Sequence, residues 1–211
     1  MSETLAAPAR HEIEVRHSRF LAQAIPVAEP GDALAALPAL STADATHNCW
    51  AFRCGDSYRS SDDGEPAGTA GLPMLEALVL RRTATDAAGR DVTDLSDVSA
   101  VVVRWFGGTL LGAGGLVRAY GDATRLAVEA AGTRERALLH EYDVTLPHGD
   151  AGRLESELRG RGVEVLDASY AAEVTLRLGL VDPAPLDGWL AELTAGRTTA
   201  HPAGHRWVDL A

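Results

Sequence analysis

Lysine is missing from this chain of 211 residues: all 19 basic residues are arginine. A Walker phosphate loop, a Schiff-base enzyme and a pyridoxal phosphate enzyme each need an ammonium group, so none of these chemistries is available. Cations are also outnumbered. The 30 acidic residues bring the net charge to -11, which argues against broad, sequence-independent binding of nucleic acid and leaves room only for a local basic patch. Cysteine is nearly absent too, and Cys49 and Cys54 lie five apart in a predicted strand. They project to opposite faces, so neither a disulfide nor a shared metal is expected between them. No long apolar run is uninterrupted. The most membrane-like window, 98–117, contains Arg104 and five glycines, a pattern for a buried strand feeding a loop, so no membrane span is predicted. The opening dozen residues carry early acids and no apolar signal core, which predicts a cytoplasmic chain.

What is present is an ordinary globular balance of 46% hydrophobic and 23% charged residues, with 21 Gly and 10 Pro. Disorder and collagen-like repeats are excluded, and the length suits one large domain or two small ones. Residues 12–15 and 19–27 read as an opening strand pair joined by a polar turn around His17 and Ser18. Asp32 is placed to cap a short helix carrying Leu34, Leu37 and Leu40, with Pro38 kinking or restarting it. Strands follow at 48–54 and 58–60. Past the polar loop 61–68, Leu72, Leu75, Leu78 and Val79 mark a helix, and a start near Thr69 or Ala70 puts Pro73 in its first turn. The stretch 83–96 reads as a polar connection, and 98–106, almost wholly apolar, as a central strand. The loop 107–115 then leads into a helix to about Ala131. Its polar face is Arg118, Asp122, Arg125 and Glu129, and its inward face Leu116, Val117, Tyr120, Ala127 and Ala131. Gly132 caps it, and the polar residues 133–136 mark a link between a domain at 1–132 and a domain at 137–211.

Beyond the link the pattern gives a strand at 138–146, a helix at 150–161 with Leu154 and Leu158 inward, and strands at 163–168 and 172–180. A helix after Asp182-Pro183 carries Leu186, Leu190 and Leu193, and 205–210 closes as a strand. This order is the split βαβ, ferredoxin-like βαββαβ arrangement. It holds no evident chemical constellation and reads as a binding or docking module.

Two segments of the first domain stand out. In 107–115, five glycines fall between a buried strand and a helix beginning near Ala113. Backbone N–H groups and a positive helix end would lie beside Arg104, a workable anion site with phosphate as its natural ligand. The same glycines suit tight turns and close packing, and the run lacks both dinucleotide spacing and the Walker lysine. Both readings stay open for Arg104, Gly107, Gly108, Gly112, Gly114 and Gly115. Arg118 either reaches this loop or pairs with Asp122 one turn on. Alternation sends Arg104 and Phe106 to one face, where they can stack on bases or fill the core. In the second segment, Ser60-Ser61-Asp62-Asp63-Gly64-Glu65-Pro66-Ala67-Gly68-Thr69-Ala70-Gly71, the carboxylates of Asp62, Asp63 and Glu65 are clustered. They can give oxygen ligands to a hard cation, or simply form the turn ahead of the next helix. His47 can pair with these acids or with phosphate, or sit as a partly buried, hydrogen-bonded imidazole. No base can be named for Cys49, so it reads as small apolar packing; no catalytic residue is assigned and no cofactor is expected.

These segments are accompanied by Ser18-Arg19-Phe20, Ala45-Thr46-His47-Asn48-Cys49, Val103-Arg104-Trp105-Phe106-Gly107-Gly108 and Leu111-Gly112-Ala113-Gly114-Gly115-Leu116-Val117-Arg118-Ala119-Tyr120. Together they resemble the IMPACT/YigZ family, closely across 13–131 and more loosely beyond. The resemblance implies an α+β fold of two domains. The N-terminal one would be an α/β sandwich similar to the second domain of a small-subunit ribosomal protein. The C-terminal ferredoxin-like domain would be similar to a late domain of elongation factor G. Both precedents sit on the ribosome. Eukaryotic relatives regulate translation through an additional N-terminal module that engages the activation machinery of a stress kinase. Only a short segment precedes the first family strand here, so that activity is not expected of this chain.

The combined expectation is a non-enzymatic, cytoplasmic, translation-associated regulatory factor. It would bind RNA, the ribosome or a ribosome-associated partner through a face formed by Arg19, His47, Arg104 and the Gly-rich loop. The alternative follows from small-molecule kinases that share the implied fold and hold ATP phosphates in a Gly-rich loop. It is an enzyme acting on a phosphorylated small molecule or nucleotide, with Asp62, Asp63 and Glu65 holding a metal.

Overall fold

The computed structural model describes residues 2–210; Met1 and Ala211, the outer ends of the two expected domain ranges, lie outside the described residues. The chain divides into two units, Ser2–Glu135 and 136–210. In chain order the first contains β1 (Ser2–Leu5), β2 (Ala9–Val15), β3 (Ser18–Pro26), α1 (Pro30–Leu40), β4 (His47–Cys54), β5 (Ser57–Ser61) and α2 (Gly71–Val79). A small hairpin follows, β6 (Ala84–Thr85) and β7 (Asp91–Val92), and then β8 (Val98–Trp105) and α3 (Ala113–Ala131).

The sheet order β2-β3-β8-β4-β5 puts the almost wholly apolar strand in the middle, and β8 is buried from Val98 to Arg104 because helices cover both faces. On one face Phe20, Ala22, Cys49, Ala51, Ala100 and Val102 meet α2 and α3 through Met74, Leu78, Tyr120 and Ala123. On the other, Phe52 and Cys54 join Val27 and Ala33 of α1. The cysteines thus fall on opposite faces, both buried. Small residues along α3 let this long helix lie close on the sheet, and its polar stripe turns outward.

Several local expectations shift. Asp32 is not the cap of α1: Glu29 holds that position, and Asp32 accepts the backbone N–H groups of Ala28 and Glu29 at 3.2 Å in a capping box. Pro38 stays within α1 because it falls in the last turns, where one missing N–H does not end the helix. The connection 83–96 holds the β6–β7 hairpin, whose two-residue strands are too short to show a period. Val117 is 38% exposed rather than inward, because Leu116, Ala119 and Tyr120 already fill the sheet-facing stripe.

The second unit continues from β9 (Thr133–Leu146) through α4 (His148–Gly160), β10 (Glu164–Tyr170), β11 (Val174–Leu180) and α5 (Leu186–Thr194) to β12 (His201–Asp209). Its strands run β12-β9-β11-β10, all antiparallel, which is the ferredoxin-like βαββαβ order. Val144, Leu146, Leu176 and Leu178 of the sheet pack on Leu154 and Leu158 of α4 and on Leu186 and Leu190 of α5. Residues 133–136, read from sequence as a polar link, are the start of β9. Polarity misleads there because Arg136 is buried over the Trp207 ring at 4.4 Å, its stem serving as apolar surface. Among the described residues no helix is long and apolar enough to cross a membrane. The architecture is α+β in two domains.

Candidate functional site

Arg104 closes β8 on the face that carries Phe20 and Val102, and its strand neighbours are Phe20 on β3 and His47 on β4. The side chain is 5% exposed. Its guanidinium forms a short ion pair with Glu65, which is buried on the loop between β5 and α2. Tyr120, from the middle of α3, donates its hydroxyl to the same Glu65 Oε1 at 2.8 Å. The His47 Nε2 lies 3.8 Å from Glu65 Oε2. The other ring nitrogen, Nδ1, is 2.7 Å from the Asp63 carbonyl oxygen, an acceptor only, so Nδ1 carries the proton. Phe20 meets the Tyr120 ring edge-on at 5.2 Å, and the Arg104 guanidinium sits 5.4 Å from Phe20 and 5.5 Å from Phe106.

This cluster is held shut electrostatically. Burial, with the Cys49 thiol and the Glu65 carboxylate beside it, raises the Tyr120 phenol far above its ordinary value, so it remains a neutral donor. Burial likewise pushes Cys49 up to about 12, against an opposing hydrogen bond from Tyr120 and with the Glu65, Asp63 and Asp62 charges adding to it. Its thiol donates to the Asp62 carbonyl at 3.0 Å. A protonated, enclosed thiol is a packing group. Arg104 is therefore not the exposed phosphate contact expected from sequence: its charge is already matched by Glu65, and two aromatic rings cover it.

The three carboxylates of the 60–71 segment do not converge either. Asp62 accepts the N–H groups of Gly68 at 2.8 Å, Ala70 at 3.0 Å and Gly71 at 2.8 Å, the last two at the start of α2. Burial opposes its ionisation, but these donors, Gly68, Gly71 and Ala70, together outweigh burial and hold its pKa below the ordinary carboxylate value. Asp63 accepts the Asn48 N–H at 2.6 Å, and Glu65 serves Arg104 and Tyr120. No group of three or more His, Cys, Asp or Glu side chains among the described residues is arranged for a metal ion. The proposed ligand set is thus corrected to a helix cap, a strand cap and a buried ion-pair partner.

The Gly-rich loop has a different character. Gly107 lies against the β2–β3 turn so tightly that a Cβ would fall 2.0 Å from the His17 backbone, and Gly115 leaves no room beside the Leu111 Cβ at 2.9 Å. Gly108 and Gly112 hold positive φ of 83° and 73°, with Gly112 the N-cap of α3. Gly114 meets nothing within 4 Å. Phe106 is 44% exposed and Leu110 82%. Arg118 is exposed near the start of α3; it does not take Asp122, which lies 3.7 Å from Arg125.

Arg19 is on the opposite face of the sheet from Arg104, over the Trp105 ring at 4.0 Å and 3.8 Å from Glu12. It therefore shares no face with His47 and Arg104. The residue that does join the loop is Arg16. The pairing of Val15 with Ser18 leaves Arg16 and His17 as a two-residue turn, both with positive φ, at 48° and 68°. That is the backbone form a type I′ hairpin demands and one that side-chain-bearing residues rarely adopt. Arg16, Arg118, Gly115 and Leu111 line one groove beside the loop. Nothing local in the sequence marks Arg16, because strand order alone brings it to Gly107. Tyr120 was legible in principle: a tyrosine on a buried helix face needs an acceptor, and Glu65 is the carboxylate that reaches it.

The comparisons with known proteins agree with this architecture. Residues 16–128 match the Impact N-terminal domain, and residues 144–197 match a domain of unknown function, DUF1949. IMPACT family member YvyE of Bacillus subtilis is 33% identical over 202 residues, covering 92% of this chain and 88% of that protein. IMPACT family member YigZ of Escherichia coli is 34% identical over 182 residues, covering 83% of each. A solved structure described as a crystal structure of an hypothetical protein superposes with a TM-score of 0.66 at 31% identity, over 97% of this chain and 98% of its own. With both domains matched in order and relatives aligned along most of its length, the chain belongs to the IMPACT family.

Proposed function

We propose that this protein is a cytoplasmic, translation-associated regulatory factor that contacts RNA or a ribosome-associated partner through the surface around loop 107–115. The observation that carries the reading is the strained Arg16–His17 turn seated on Gly107. Two consecutive side-chain-bearing residues in the left-handed region cost about 1–2 kcal/mol each, and such strain concentrates where geometry serves a ligand. The turn places Arg16 across a groove from Arg118, beside the start of α3, where the N–H groups of Gly115 and Leu116 donate to the Gly112 carbonyl and those of Ala113 and Gly114 precede the first intrahelical bond. Phe106, at the entry to the loop, offers an exposed ring for stacking. The surface is local, as a chain of net charge -11 requires. The translational setting rests on the family resemblance. The nucleotide-enzyme alternative joins the same Gly-rich loop, as phosphate holder, to Asp62, Asp63 and Glu65 as metal ligands, and the internal partners of those three acids favour the first reading over it.

The test is co-sedimentation with ribosomes at two salt concentrations. Association is expected to weaken as salt rises, and to weaken further in Arg16→Ala and Arg118→Ala while the near-ultraviolet circular dichroism stays unchanged. Absence of co-sedimentation, or association indifferent to salt and to both variants, overturns the reading.

A further inference from the structure

A second basic surface adjoins the groove beside the Gly107 turn, sharing Arg118 and Asp122 with it, and runs between the outer sides of α2 and α3. Its floor is apolar and made of small or aliphatic groups: Pro73, Ala77 and Leu80 from one side, Val117 and Gly121 from the other. Gly121 adds no side chain to this floor; a Cβ there would make only ordinary contact, 3.8 Å from the Pro73 carbonyl oxygen. Leu80 is 68% exposed and Val117 38%. Four arginines stand around this floor, Arg81, Arg82, Arg118 and Arg125, against two acids, Glu76 and Asp122. That excess of positive charge is notable in a chain whose acids outnumber its arginines by 30 to 19. Two of the arginines have surface partners, Arg82 with Asp91 at 3.6 Å and Arg125 with both Glu129 at 3.0 Å and Asp122 at 3.7 Å, while Arg81 and Arg118 have no ion pair among the described residues. Exposed pairs of this kind exchange for a better partner at little loss.

We infer that this groove receives an acidic amphipathic helix of a partner protein. Charge complementarity selects the occupant's acids, which would face Arg81 and Arg82 along one wall and Arg118 and Arg125 along the other. The apolar floor selects its aliphatic stripe, laid along α2 and α3 as a third helix. Along α2 from Pro73 to Val79 the groove runs about 9 Å, so the occupant engages roughly two turns. No aromatic ring lines the groove, whereas single-stranded nucleic acid is held by base stacking as well as charge. A helix with leucines at i, i+3, i+4 and i+7 and glutamates on either flank meets both requirements.

The probe is a fluorescent, stapled peptide of that design, about four turns long, titrated into the full chain by anisotropy and followed by amide chemical shifts. Saturable binding is expected, with shifts centred on Ala77, Leu80, Val117 and Gly121. Because Leu80 and Arg82 are exposed, Leu80→Asp and Arg82→Glu keep the fold; each is expected to weaken binding roughly tenfold or more. Arg16→Glu, at a residue that lines only the loop groove, leaves it unchanged. No saturable binding, shifts centred elsewhere, or affinity indifferent to both groove variants overturns the inference. A single-stranded RNA oligomer that displaces the peptide and shifts the same amides also overturns it and assigns the groove to nucleic acid. Loss of salt-sensitive ribosome association in Arg16→Ala bears only on the loop surface, so the two readings fail separately.

Discussion

The 61–71 segment and the 107–115 loop look alike in sequence: both are glycine-bearing and run into a helix. In the folded chain they have opposite roles. Each acid of the first segment is matched by an internal donor: Asp62 by the start of α2, Asp63 by Asn48, Glu65 by Arg104 and Tyr120. The second presents backbone, Phe106 and Leu110 outward, and its only tight internal contacts are made by two glycines with no side chain to offer. Carboxylates near one another in sequence are thus poor guides to a site unless their donors are known. A glycine loop held open by a neighbouring strained turn is the better one.

The contrast predicts its largest difference at the buried ion pair. Glu65→Ala and Arg104→Ala each leave an uncompensated charge inside the first domain and are expected to lower unfolding free energy by about 3–5 kcal/mol. Urea denaturation measures this. The double variant, with neither charge present, is expected to lose clearly less than the sum of the two, as coupled partners do. Arg16→Ala and Arg118→Ala, on the open surface, should stay within about 0.5 kcal/mol of the parent. Additive losses at Arg104 and Glu65 would mean that the pair does not close this cluster.

Within the loop itself, Gly107→Ala sharpens the comparison. A Cβ there would overlap the His17 backbone at 2.0 Å, and no rotamer relieves a clash with main chain. The turn or the end of β8 must move, at about 1–3 kcal/mol or more. Both the denaturation midpoint and ribosome association should fall together in this variant, since the Arg16 turn shifts with it. Unchanged stability would show that the turn and loop are not in contact in solution.

Much of the scaffold could be read from pattern. The unbroken apolar run of β8 specified a strand covered on both faces, and the alternation of Val174, Leu176 and Leu178 specified one face of the second sheet. Tertiary choices could not be read this way. Arg104 carries the same charge whether it faces phosphate or Glu65, and only the fold of the 62–70 loop decides between them. Arg19 and Arg104 look like neighbours because their strands pair, but alternation against the register in which Arg19 meets Trp105 separates them by the thickness of the sheet. Arg136 shows the converse, a charge in a polar stretch that becomes strand: its register partner on β12 is Asp209, and the Trp207 ring two residues away covers its guanidinium.

Asp62 gives a smaller, pH-dependent effect. Its pKa in the folded state is below the unfolded value, so the stabilisation is complete at neutral pH, above the unfolded pKa. It is lost as pH falls through the ordinary carboxylate range to the folded pKa. Asp62→Ala removes the cap on α2 and is expected to lower stability by about 1–2 kcal/mol at pH 7. The gap to the parent should narrow in urea melts taken at progressively lower pH. A gap that stays constant down to strongly acid conditions would place the residue's contribution in packing rather than in its charge.

A small gain in stability is the effect that best separates folding from binding. Gly114 occupies the second position of α3, at an ordinary helical φ, and a methyl group there meets nothing within 4 Å. Alanine restricts the unfolded chain and suits the helix, so Gly114→Ala should raise stability by about 0.4–1 kcal/mol. The same methyl stands over the first N–H groups of the helix, where an anion would approach them. Ribosome association is therefore expected to weaken while the melting temperature rises, opposite signs that no general loosening of the fold can produce. If both quantities rise, or if association is untouched, the start of α3 takes no part in the contact and the surface shrinks to Arg16, Arg118 and Phe106.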